Sequence, residues 1–358
     1  MTHLERLQDS LSRLGASSAL ISSEINQRYL SEFSFSDGYI LVTQNEGFLL
    51  TDSRYIEAAR AQARGFSVIL SSGGMLESLR ELICALSLSE IVIEEEELPC
   101  SLLKKLSESL SGIEISFGAS DVLRSLREVK TEEEIGKIAE AQRLTDEAFS
   151  HILDYISPRR TEKDVALELE FFMRKRGAEG VAFDTIAVSG KASSLPHGVP
   201  TDTPLRQGFL TMDFGARVDG YCSDMTRTVV IGRADGEMRR VYDTVLRAQA
   251  TALSVIRGGL SCFDADKAAR DVIRQAGYGE NFGHSLGHGV GMFIHEAPSL
   301  SPKADPSRLL VAGNVVTVEP GIYIEGKYGC RIEDMITIRP DGSVYNFTKS
   351  TKELIEIT

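Results

Sequence analysis

Residues 211–228 read Thr-Met-Asp-Phe-Gly-Ala-Arg-Val-Asp-Gly-Tyr-Cys-Ser-Asp-Met-Thr-Arg-Thr, or TMDFGARVDGYCSDMTRT. Asp219-Gly220 at the centre is a strong two-residue hairpin signal between two strand-forming runs. With that turn, Asp213 lies opposite Thr226, and Asp224 becomes its diagonal neighbour on the same face. Two carboxylates therefore converge among otherwise apolar, inward-facing residues.

Three later segments extend the pattern. GHSLGHGVG (283–291), TVEPGIY (317–323) and RIEDM (331–335) place His288, Glu319 and Glu333 among similar flanks. A three-residue loop at Glu325-Gly326-Lys327 puts Glu319 directly across from Glu333. Carboxylates buried this way need cations, and without metal they repel one another, so that some stay protonated at neutral pH. Four carboxylates and one neutral imidazole balance two divalent ions, and the oxygen-rich set suits Mn²⁺, Co²⁺ or Zn²⁺. A pair of such ions shares a bridging water, lowers its pKa and polarises a carbonyl, which is metal-assisted hydrolysis. Either Glu319 or Glu333 is able to move the water's proton while remaining a ligand.

His197 in SLPHGVPT, His284 in GHSLG and His295 in FIHEAP lie beside Gly and Pro in expected loops. Imidazoles free of metal can stabilise a tetrahedral oxyanion and protonate a leaving nitrogen, and His295 is the first choice for this role. The i,i+4 spacing of His284 and His288 imitates a zinc-binding helix, but Gly283, Gly287, Gly289 and Gly291 break that helix and the HExxH glutamate is missing. Arg331 is read either as a salt-bridge partner of the carboxylates or as an orienter of one substrate end.

Around this half the chain has 358 residues, enough for two domains. The alternation of SALIS, GYILVT, GFLLT, FSVIL, EIVIEEE and IEISF with helices at SRYIEAARAQA, 75–86 and 99–110 predicts a three-layer α/β domain. Thr131 and Glu134 form a capping box opening a long helix to about Ile156. The domains are set at 1–125 and 126–358, the second carrying further helices from Thr161 to Gly177, at 236–257 and at 263–276. The formal charge of -13, with no dense Lys/Arg cluster, argues against nucleic acid. No apolar run is long enough to span a bilayer, and the charged N-terminal helix is no secretory signal, so a cytoplasmic location is expected. Cys84, Cys100, Cys222, Cys262 and Cys330 show no CxxC pair and are expected to be reduced core thiols.

The run from MDFGARVDGYCSDMTRT through GHSLGHGVGMFIHEAP and TVEPGIYI to GCRIEDM resembles the proline-specific metallopeptidases, aminopeptidase P and prolidase, of the methionine aminopeptidase and creatinase superfamily. The resemblance covers about 125–354. It implies a C-terminal pita-bread catalytic domain preceded by a smaller creatinase-type three-layer α/β domain. It further implies Asp213, Asp224, His288, Glu319 and Glu333 as ligands of two divalent ions, Mn²⁺ or Co²⁺ before Zn²⁺, with Asp224 and Glu333 bridging. His295 and His197 would contact substrate, and His284 would complete the catalytic histidines. The expected reaction is hydrolysis of the bond between an N-terminal residue and proline by a metal-bridging hydroxide, in a homodimer or higher homo-oligomer. The reading leans to an Xaa-Pro aminopeptidase, with an Xaa-Pro dipeptidase as the alternative. A non-catalytic binding module or a metal-free C–N hydrolase on the same fold would be expected to lose ligands that this chain keeps.

Overall fold

The Thr2 hydroxyl accepts a hydrogen bond from the Glu5 N–H while the Glu5 carboxylate accepts one from the Thr2 N–H, so the chain begins with a capped helix, α1 (His3–Leu14), closed by Gly15 in the left-handed region. The computed structural model describes residues 1–358, which divide into two compact units, Met1–Arg127 and Glu128–Thr358.

In the first unit, α1 is followed by β1 (Ser18–Ile21), α2 (Glu24–Ser31), β2 (Gly38–Thr43), β3 (Gly47–Thr51), α3 (Ile56–Gln62), β4 (Phe66–Leu70), α4 (Met75–Ala85), β5 (Glu90–Ile93), α5 (Cys100–Ser109), β6 (Glu114–Phe117) and α6 (Ala119–Glu128). The strands form one mixed sheet in the order β4-β3-β2-β1-β5-β6, antiparallel across β1, β2 and β3 and parallel elsewhere. Leu41 and Leu50 pack with Leu79 and Ile83 of α4 and Leu106 of α5, while Ile40, Val42 and Leu49 are buried on the opposite face. Alternation along the strands thus fills two helical layers around one sheet.

The sequence reading missed α2 and α6. In α2 the buried residues include Asn26 and Gln27, whose amides bond Glu94 and the backbone at Ile21 and Gly38, so no apolar period marks it. The cysteine expectation needs correction at two positions. Cys222, Cys262 and Cys330 are buried free thiols, but Cys84 and Cys100 are exposed, because both lie on outward faces of helices that bury only a narrow apolar stripe.

The second unit is built twice over. α7 (Glu132–Tyr155) ends at Ile156 and α8 (Glu162–Lys175) starts from Thr161; α9 (Gly236–Val255) ends at Ile256 and α10 (Cys262–Gln275) starts from Ser261. Equivalent caps fall a hundred residues apart, at 156 and 256 and at 161 and 261. Thr161 and Ser261 each accept from an aspartate N–H at the third helical position, and each forms an isolated bridge to a later segment, Pro204 and Leu309. Strands β7 (Gly180–Val181), β8 (Ile186–Ser189), β9 (Gly208–Phe214), β10 (Ala216–Val218), β11 (Tyr221–Cys222) and β12 (Met225–Ile231) belong to the first half. The second half contributes β13 (Gly287–Gly289), β14 (Glu296–Leu300), β15 (Val315–Val318), β16 (Gly321–Ile324), β17 (Tyr328–Arg331), β18 (Asp334–Ile338) and β19 (Val344–Asn346), and β20 (Glu356–Ile357) ends the chain. The main sheets run β20-β12-β9-β8 and β14-β13-β15-β18-β19. Helices α7 and α8 pack on the first through Leu144, Leu169, Met212 and Phe214, and α9 and α10 on the second through Val245, Ile273, Val316 and Ile336.

Candidate active site

Two hairpins deliver the acids. Asp219 and Gly220 both have positive φ (48° and 86°), the signature of a type I′ turn, and Thr226 pairs with Asp213 as the sequence spacing requires. That register continues through β10 and β11, leaving Asp224 diagonal to Asp213. Gly215 between them is obligatory, since a Cβ there would stand 1.9 Å from the Ser223 carbonyl oxygen. In the second hairpin Gly321 pairs with Arg331 and Ile324 with Tyr328, around the three-residue loop 325–327. The same register pairs Val318 with Asp334, so Glu319 and Glu333 face one another where the two strands cross between sheets.

His288 lies on β13, not on a helix. Its backbone N–H donates to Thr317 Oγ1, and its Nδ1 lies 3.1 Å from the Gly289 carbonyl, which can only accept; the proton is therefore on Nδ1. The lone pair of Nε2 faces Asp224 Oδ2 at 3.5 Å and Glu319 Oε1 at 3.3 Å. Ligand atoms of Asp224, His288 and Glu333 lie within 4.8 Å of one another. Acceptors facing acceptors at these distances are held together only by protons or a cation. Burial, then the neighbouring carboxylates, pushes the Asp224 and Glu333 carboxyls well above their ordinary range, and burial takes Glu319 to about 7. The Asp213 Oδ1 and Glu333 Oε1 atoms are buried without hydrogen-bond partners. Unsatisfied oxygens, displaced carboxyl pKa values and a neutral imidazole suit divalent cations, with spacings close to the ligand-to-ligand edges expected for bonds of about 2.1 Å.

Three of the remaining oxygens are fixed by the scaffold. Thr226 Oγ1 donates to Glu333 Oε2 at 2.7 Å, and Thr317 Oγ1 to Glu319 Oε1 at 3.1 Å. Arg331 makes a salt bridge to the carboxylates and also lines the cavity. Its buried guanidinium lies 2.6 Å from Asp213 Oδ2 and also donates to Thr226 Oγ1, Tyr323 Oη and the Pro196 carbonyl. Tyr323 Oη in turn meets His284 Nε2 at 3.0 Å, and His284 Nδ1 meets the Ser285 carbonyl. Burial and Arg331 bring His284 down to about 4, so it stays neutral, with both nitrogens engaged inside the protein. Thr226, Thr317 and Tyr323 were not singled out from sequence, although the two threonines stand two residues from Asp224 and Glu319, the spacing that puts side chains on one strand face.

These groups open into a cavity of about 1020 Å³ that also takes in His197 and His295. Leu167, Phe183, Ile186, Val199 and Ile294 supply apolar wall. His295 lines the cavity with its ring 4.3 Å from that of His288, and partial burial of the imidazole, then the neighbouring His288 and His197, lowers its pKa. His197 sits on the loop 190–200. Buried Glu162 clasps both ends of this loop: one oxygen accepts from Ser189 N and Oγ, the other from Thr201 N and Oγ1.

Comparison with known proteins finds similarity along nearly the whole chain. The family described as Metallopeptidase family M24 matches residues 136–340, and the Creatinase/Prolidase N-terminal domain matches residues 3–129. An Xaa-Pro dipeptidase of Pyrococcus furiosus is 35% identical over 354 residues, covering 98% of this chain and 99% of its own. Among solved structures, an Xaa-Pro dipeptidase from Bacillus anthracis is similar with a TM-score of 0.95 at 40% identity, covering 99% of both chains. An X-Pro aminopeptidase from Thermotoga maritima is similar with a TM-score of 0.91 at 38% identity, covering 98% of this chain and 100% of the other.

Proposed function

This chain belongs to Metallopeptidase family M24, and on that premise we propose that it hydrolyses the peptide bond between an N-terminal residue and proline. The observation that carries the reading is the convergence of Asp224, His288 and Glu333, with Asp213 and Glu319 beside them, in a cavity whose wall presents His197 and His295. A metallopeptidase works with divalent metal ions; Asp213, Asp224, His288, Glu319 and Glu333 are the residues to hold two of them, Mn²⁺ or Co²⁺ before Zn²⁺. When bound, such ions polarise a carbonyl and let water attack at neutral pH.

The side chains then divide the remaining work. Glu319 takes the proton from the attacking water, because Glu333 is the more deeply buried of the pair. His295, kept neutral, donates its N–H to the oxyanion of the tetrahedral intermediate without bringing a charge of its own. His197, held by the Glu162 clasp, contacts the substrate from the opposite loop. His284 was expected to be catalytic, but its two internal bonds give it a positioning part, holding Tyr323 against Arg331 and so Arg331 against Asp213. The apolar wall at Phe183, Ile186 and Ile294 suits the proline ring and an apolar N-terminal side chain.

Two of the three relatives named above are dipeptidases, which moves the first substrate from the longer peptide favoured by the sequence reading to the Xaa-Pro dipeptide. The homo-oligomeric state rests on the resemblance and the cytoplasmic setting on the reading of the charged N-terminal helix; no helix is long and apolar enough to cross a membrane. The test compares an Xaa-Pro dipeptide with an Xaa-Pro-Yaa tripeptide after chelation and after reloading with Mn²⁺ or Co²⁺. Hydrolysis should vanish on chelation, return with metal and favour the dipeptide; full activity of Glu333→Ala would refute the two-metal reading.

A further inference from the structure

Directly behind the acids, on the side away from the cavity, lies a second buried charge. Arg227 follows Thr226 on β12, and strand alternation turns its side chain to the opposite face. It is 1% exposed, and each of its five N–H donors is engaged. Nη1 donates to the carbonyls of Thr226 and Glu333, Nη2 to Asp334 Oδ1 at 2.8 Å and the Ser350 carbonyl at 2.9 Å, and Nε to the Thr351 carbonyl at 3.0 Å. The other Asp334 oxygen accepts from Lys352 Nζ at 2.6 Å and Asn346 Nδ2 at 2.8 Å.

The segment around these partners is itself pinned. Asp146 of α7 accepts from the N–H groups of Lys349 and Ser350, Tyr242 Oη of α9 donates to the Lys352 and Glu353 carbonyls, and Lys352 Nζ reaches Gln249. One guanidinium therefore ties β12 of the first half, the Glu333 turn of the second and the C-terminal segment. A single buried counter-charge needs no such arrangement, and for stability alone an apolar pair of similar volume would serve as well. What the planar five-donor fork supplies is the mutual placement of three backbones.

We propose that Arg227 is a positioning residue for the metal ligands: with Asp334 and the segment 346–353 as its anchor, it sets Thr226 and Glu333 so that Glu333 Oε1 is presented to metal while Oε2 is held by Thr226. The inference rests on the reading of Glu333 as a ligand. It makes the C-terminal segment part of the metal-binding apparatus although none of its side chains reaches the cavity.

Co²⁺ titration of the metal-free protein, followed by visible absorption and calorimetry, tests this with Arg227→Lys and Lys352→Met, alongside melting curves without metal. Lys352 is partly exposed and its change removes only the Nζ bonds to Asp334 and Gln249, leaving all five Arg227 donors engaged, so this variant remains informative where Arg227→Lys does not fold. Expected are a loss of about 10- to 100-fold in Co²⁺ affinity in Arg227→Lys, a smaller loss in Lys352→Met, and a metal-free melting temperature of Lys352→Met close to that of the parent. Thr226→Val, which removes the bond to Glu333 directly, should reproduce the loss. Parental Co²⁺ affinity in the folded variants overturns the inference while leaving the metal site intact; a parent protein that takes up no Co²⁺ overturns the metal reading itself and this inference with it.

Discussion

Glu319→Gln should make the metal-free protein more stable near pH 8, although it removes a residue of the active site. Burial raises the Glu319 carboxyl from an ordinary value of 4.5 to about 7. The unfolded chain thus loses this proton near 4.5 and the folded chain keeps it until about 7. Between those values the folded state binds more protons, so the stability contributed by the group is complete below 4.5 and is lost as pH rises through 7. The difference amounts to about 3 kcal/mol. Gln fills the same volume without a charge to bury, so above pH 7 the variant should be more stable by about that amount, a rise of roughly 6–12 °C in melting temperature for a unit of this size. Near pH 4.5 the two proteins should melt together. Taking the difference between them cancels the titrating groups on which the Glu319 charge does not act, including His284, whose contribution has the opposite sign. With Mn²⁺ present the order should reverse, because the variant forfeits a ligand and the stabilisation that binding brings. Calorimetric melts of chelated protein across this range decide the matter; equal stability of parent and variant near pH 8, or an advantage of the same size at pH 4.5, would refute the reasoning.

Three further outcomes follow from the structure. His284, lowered from 6.5 to about 4, contributes stability that is present above 6.5 and lost as pH falls toward 4, so His284→Gln should flatten the acid limb of the metal-free melting curve. Gly215→Ala drives a Cβ into the Ser223 carbonyl and should cost on the order of 4 kcal/mol or prevent folding, read from soluble yield and denaturant melts. Thr161→Ala removes one bond of the capping box opening α8 and should cost about 1 kcal/mol, with no change in the affinity for metal.

Much of the site was legible because hairpin geometry is short-range. Asp219-Gly220 fixes a turn, the turn fixes the register, and the period of two along a strand puts Asp213 and Asp224 on one face; the loop 325–327 does the same for Glu319 and Glu333. Capping chemistry likewise announced α7 and α8. What escaped was set by partners distant in sequence. Whether Arg331 meets substrate or Asp213 depends on a contact across 118 residues, and the engagement of His284 by Tyr323 spans 39. Helix α2 was hidden because its inner face is polar, and Cys84 and Cys100 were misplaced because burial of a helical residue depends on which face it occupies. The internal repeat was available in the equivalent caps at 156 and 256 and at 161 and 261, but the two halves share little beyond those caps.

That repeat supplies a comparison already carried out within one molecule. Position 162 holds Glu, whose carboxylate grips Ser189 and Thr201, whereas the equivalent position 262 holds a buried cysteine at the start of the same kind of helix, with its N–H on the same kind of loop carbonyl. The duplicated scaffold therefore stands with or without the carboxylate. Its presence in one copy alone marks a division of labour between twins: the first half spends a buried charge on immobilising the loop that carries His197, and the second, whose equivalent loop (301–314) brings no residue to the cavity, fills the slot with an ordinary apolar plug.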